Sequence, residues 1–153
     1  MAVILSAMVY GLFCTGFGVG LTMIRNIAPG TLKYVFAASF ACGTLCRLIS
    51  TVSGSLALGA FIGGFAGAFV IRYFFEKQLC EVYFRIVITS VFCICPGIAL
   101  ANLLDGILRM DTALILAKAV TVVTVGPAIA AGILVCGKVC DRIYGHRVAD
   151  DII

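Results

Sequence analysis

The stretch VFCICPGIALANLLDG, residues 91–106, decides how this chain is built. Its first half is apolar enough for the interior of a bilayer. Pro96 and Gly97 then arrive together, in the middle of an apolar run over 86–104. Proline removes a backbone donor and clashes with the preceding turn, while glycine adds freedom. In hydrocarbon a freed carbonyl has no water to bond, so interrupted backbone survives only against protein or beside a watery cavity. Asn102 and Asp105 follow, three apart and on one face of the half-helix after the break. The stretch reads as a membrane span interrupted at its centre, with polar groups just beyond.

Composition places the whole chain in the same solvent. Its 153 residues are 63% hydrophobic and 12% charged. A soluble domain carries about 25% charged residues. So few charges cannot cover a water-facing surface. The net charge of +4 is modest, and the basic residues fall in short clusters. No basic-aromatic patch suited to nucleic acid is present.

Working outward from 91–106, spans of about 20 mostly apolar residues are expected at 2–24, 34–52, 53–71, 86–104 and 112–135. The first has no basic n-region and reads as a retained span rather than a signal peptide. Five spans put the first loop, the third loop and the tail on one side. That side holds Arg25, Lys33, Arg72, Lys77, Arg85, Lys138, Arg142 and Arg147. The other side holds Arg109, with Arg47 and Lys118 able to reach it. Because basic loops stay in the cytoplasm, the N-terminus is expected outside and the C-terminus in the cytoplasm. The fold expected is thus an all-α membrane protein, one transmembrane domain over 1–153, with helix four broken at Pro96-Gly97. A cytoplasmic amphipathic connection is expected at 72–85, where Arg72/Glu76, Lys77/Glu81 and Glu81/Arg85 stand four apart. A polar cytoplasmic tail is expected at 136–153.

Small residues mark where helices meet. Ser55, Gly59, Gly63 and Gly67 stand at four-residue spacing in span three. Gly16 and Gly20 repeat the interval in span one, and Ala38, Cys42 and Cys46 in span two. Such rows let helix backbones approach closely in lipid, and one of them is expected to face another subunit. The eight cysteines fall mostly inside the spans and read as small apolar packing groups. With one His, in the tail, they suggest no metal site.

The residues that carry chemistry are few. Arg47 lies inside span two, and an intramembrane arginine is a functional candidate by default. Its guanidinium fork suits a carboxylate. Lys118, Thr121 and Thr124 share one side of span five, and Gly126-Pro127 is expected to break that helix too. Two interrupted helices point to a transport site near the midplane. The substrate-binding set expected is Arg47, Pro96, Gly97, Asn102, Asp105, Lys118, Thr121 and Thr124. No nucleophile–His–acid set, HExxH or phosphate-binding loop occurs. The chain is therefore not expected to be an enzyme or to hold a cofactor.

RNIAPGTLKYVFAASFACGTLCR (25–47), the glycine-rich span after it, and FCICPGIALANLLDG (92–106) together resemble the threonine/serine exporter family, in its two-component form the small membrane-only subunit. The resemblance covers nearly the whole chain. It rests on the basic loop entering span two, on Gly43 and Arg47, and on Pro96-Gly97. It implies a secondary exporter of threonine, serine or related small carboxylates in the bacterial inner membrane, with proton coupling and a larger membrane subunit as partner. Two five-span halves in tandem would be inverted relative to each other, a common transporter arrangement. A homo-oligomeric channel and a non-transporting assembly subunit are the alternatives.

Overall fold

The structure, a computed structural model, describes residues 2–26, 29–76, 83–94, 97–110 and 112–144. Its helices are α1 (Ala2–Ile24), α2 (Leu32–Ser53), α3 (Leu56–Glu76), α4 (Tyr83–Val91), α5 (Gly97–Leu108) and α6 (Thr112–Tyr144). Four of them, α1, α2, α3 and α6, are long and apolar enough to cross a membrane. The remaining apolar run is in pieces: nine residues of α4, a 3-10 turn at Phe92–Ile94, and twelve residues of α5.

The bundle packs small residues inward and large ones outward. The inner stripe of α1 is Ala7, Gly11, Cys14, Thr15, Gly18 and Thr22, all buried. Its outer face is Val3, Ile4, Leu5, Leu12, Phe13 and Phe17, all exposed. In water this distribution would be ruinous. In lipid the outer side chains meet acyl chains, and small inner ones let backbones touch. α1 and α2 are antiparallel, with Gly11 against Thr44 and Gly18 against Ser39. A Cβ on Gly43 would stand 2.7 Å from the Cys14 sulfur.

α2 and α3 are joined by a turn that needs Gly54, whose φ of 66° is the left-handed conformation that caps a helix C-terminus. The α3 glycine row then runs down α2. A Cβ on Gly59 would lie 2.5 Å from the Cys46 carbonyl, one on Gly63 2.9 Å from the Cys42 carbonyl, and one on Gly67 3.2 Å from the Cys42 Cβ. Gly16 and Gly20, by contrast, have nothing within 4 Å. Within this chain the close approach of α1 is made by Gly11 and Gly18, seven apart, which alternate with Cys14 on the buried stripe.

α6 packs on another face of α3. Gly64 meets the Ile129 backbone, Gly132 meets the Phe61 carbonyl, and Arg72 bonds Asp141. Phe61 and Gly64 cross Ile129 and Gly132, and farther along both helices Arg72 meets Asp141, so α3 and α6 run parallel. The segment between them must therefore carry the chain back from the Arg72 end to the other end.

One expectation is corrected. α6 is continuous from Thr112 to Tyr144 with Pro127 inside it, so Gly126-Pro127 does not break the helix. Both residues are exposed, and a Cβ on Gly126 would have nothing within 4 Å. Helix also covers the start of each expected polar segment. Arg72–Glu76 form the last turn of α3, with Arg72 buried, and α6 runs on through Cys136 and Cys140, both buried.

Candidate functional site

Several groups fix the depth of the bundle. α6 carries no charge between Lys118 and Lys138, which are 20 positions apart. At about 1.5 Å per residue this is about 30 Å, the hydrocarbon thickness of a bilayer. The two lysines therefore stand at its two edges. At the Lys138 edge lie the Arg72–Asp141 pair, Lys33 at 5.0 Å from the Tyr34 ring centre, and the Tyr34–Phe74 ring pair at 4.9 Å. Aromatic and basic groups together mark a membrane interface.

Against this scale the interruption lies in the middle. Gly67, near the centre of α3, faces Val91 at the end of α4. Cys14, midway along α1, stands against Gly43 and donates toward the Cys93 carbonyl at 4.0 Å. Cys93 in turn donates to the Ser90 carbonyl at 2.8 Å. A 3-10 turn exposes carbonyls that an α-helix would bond, and here thiols fill part of that role. Thiols are weak donors. The Ser90 hydroxyl is fully buried and has no hydrogen-bond partner among the described residues. The backbone at mid-depth is thus held by weak bonds.

The chain also changes neighbours here. α4 packs against α1, α2 and α3, whereas α5 packs against α6, with Gly106 on Leu114 and Ile115. The 3-10 turn itself touches α1, α2 and α3.

Arg47 is a cation well inside α2, beside Cys46. Lys33 to Arg47 spans 14 positions, about 21 Å along α2. With Lys33 at the Lys138 edge, Arg47 lies about 9 Å short of the opposite one. Its side chain is exposed on the bundle, and its guanidinium carbon is 6.0 Å from the Tyr10 ring centre. Tyr10 is one turn from Cys14. The Arg47 carbonyl accepts the Ser50 and Thr51 hydroxyls at 3.0 and 2.7 Å.

The other expected site residues separate from this centre. Asp105 accepts the Arg109 Nε at 2.9 Å, one turn away at the end of α5, and both side chains are well exposed. Asn102 lies on α5 and Gly97 begins it, while Pro96 lies outside the described residues. The Thr121 and Thr124 hydroxyls bond back to the Ala117 and Val120 carbonyls at 2.9 and 2.8 Å, the ordinary use of Thr in a membrane helix. Lys118 is half-buried at the membrane edge.

The sequence reading missed Tyr10, Cys14, Ser90 and Cys93 around the break. Their polar atoms are ordinary one by one, and only the fold gathers them. Among the described residues no group of three or more His, Cys, Asp or Glu is arranged to hold a metal ion. No protein-family model, curated protein or solved structure matches the chain.

Proposed function

We propose that this chain is one half of a two-part secondary exporter of small amino acids such as threonine and serine, or of related small carboxylates. The observation that carries the reading is the mid-depth interruption between α4 and α5, where the chain leaves one set of helices for another. Membrane carriers use such interruptions to present helix ends and bare backbone to a substrate. The Gly97 end of α5 carries the positive end of a helix dipole, which favours a carboxylate. Arg47 adds a second positive group on the outer side of the same level.

Five crossings, with the N-terminus outside and the C-terminus cytoplasmic, fit the parallel course of α3 and α6 and the basic residues at the Arg72 end. The acidic residues within the described helices, Glu76, Asp105 and Asp141, each lie in the last turn of their helix. On this reading a proton-coupling carboxylate at mid-depth would come from the partner subunit. That supports a shared site over a self-sufficient one.

The test is reconstitution into liposomes with and without the larger subunit, following labelled threonine and succinate under an imposed proton gradient. Gradient-driven flux is expected only with both subunits. It falls at least tenfold for Arg47→Gln and is retained for Asp105→Asn, whose partner is Arg109. Equal flux from this chain alone, or full flux from a normally assembled Arg47→Gln protein, overturns the reading.

A further inference from the structure

The Lys138 end of α6 carries a groove lined by Leu134, Val135, Lys138, Val139 and Arg142. Leu134, Val135 and Val139 are exposed, as are Lys138 and Arg142. The polarity changes along the groove in one direction. Its deeper part, toward the bundle centre, is apolar. Its shallower part is basic, and Lys138 and Arg142 stand one helical turn apart at the hydrocarbon edge. Asp141, the nearest acid on the helix, is turned to Arg72 of α3 at 3.3 Å. Neither Lys138 nor Arg142 is paired with a carboxylate among the described residues.

We infer that this groove binds an anionic phospholipid, with the phosphate between Lys138 and Arg142 and an acyl chain along Val139, Val135 and Leu134. A soluble phosphate would use the two cations and nothing else. Only a lipid also covers the apolar half, in the order in which the groove presents it. The position favours the lipid as well, because the two cations lie at headgroup depth and the three aliphatic residues lie below it. Basic residues at this level attract anionic headgroups strongly enough to select among lipids. This is independent of any transported substrate and of which leaflet the end faces.

The full chain is purified in mild detergent, and retained phospholipid is measured by mass spectrometry after exchange with equimolar phosphatidylglycerol and phosphatidylcholine. Selective retention of phosphatidylglycerol is expected, with a preference of about thirtyfold at low salt for two basic contacts. Lys138→Gln with Arg142→Gln removes it. Lys138→Arg with Arg142→Lys, which keeps both charges, retains it. Lys33→Gln, which removes a basic residue at the same edge of α2, also retains it. An equal loss in Lys33→Gln would mean diffuse surface charge and overturns the site. Displacement by millimolar glycerol phosphate as effective as displacement by lipid overturns the role of the acyl chain. Loss in the charge-conserving pair together with a lost size-exclusion peak would mean a structural role only, and also overturns it.

Discussion

Replacing Gly59 by alanine adds one methyl group, and the structure fixes what it meets. The new Cβ would stand 2.5 Å from the Cys46 carbonyl oxygen and 2.9 Å from the Ser50 Cβ. Ordinary contact begins at 3.4 Å, so the first approach is short by about 0.9 Å. The obstacle is backbone and cannot rotate aside. α2 and α3 must part along their closest seam. Overpacking of this kind costs about 1–3 kcal/mol. Alanine returns up to about 1 kcal/mol through its better helix propensity. The net loss is centred on about 1.5 kcal/mol, equivalent to about 3–6 °C in thermal midpoint for a chain of this size. Gly16→Ala is the matched control, because nothing lies within 4 Å of that position. It keeps only the propensity gain, so its midpoint is unchanged or slightly higher. The assay follows the monodisperse size-exclusion peak of the purified chain after heating in mild detergent. If Gly16→Ala falls as far as Gly59→Ala, the seam has been placed on the wrong glycines and the packing account fails.

Two further outcomes follow from particular contacts. Arg72 is 3% exposed and its partner Asp141 36% exposed. Asp141→Asn should therefore cost about 1–3 kcal/mol, less than a fully buried pair because water still reaches the carboxylate. The double variant Arg72→Gln/Asp141→Asn should lose less than the sum of the two single variants. Strict additivity in the same heating assay would mean that the two side chains do not interact in the folded protein. Pro127→Ala should leave reconstituted flux intact and raise the midpoint, because α6 is already continuous through Pro127 and gains a backbone donor. A large loss of flux at unchanged stability would restore a hinge role to Gly126-Pro127.

Much of this architecture was legible because lipid imposes simple rules. The apolar runs located α1, α2 and α3, and Pro96-Gly97 located the interruption. The glycine row of α3 was legible because an uninterrupted four-residue interval has few other uses. In α1 the interval marks no seam within this chain. Gly16 and Gly20 keep it with nothing packed on them, while Gly11 and Gly18 keep a seven-residue interval through Cys14. Pro127 misled. A proline signals a break only where neighbours cannot absorb the kink, and in a membrane helix they often can. Arg72 read as a surface charge because its partner lies 69 positions away. No local pattern announces such a pair. The Asp105–Arg109 bond, four positions apart, was local enough to find.

The parallel course of α3 and α6 also bears on how the protein is made. α4 and α5 hold nine and twelve residues, each too short to cross a bilayer alone. They leave the ribosome before α6 exists. If they remained outside the bilayer, α6 would meet the insertion machinery from the wrong side and enter upside down. The weakest inserter in the chain thus governs the orientation of one of its most apolar helices. In the orientation proposed above, Lys138 and Arg142, made later, resist that error because basic residues favour a cytoplasmic α6 C-terminus. On that proposal the late α6 draws the broken segment across after it. The step is a vulnerable one, and the larger subunit proposed above would be well placed to shelter it.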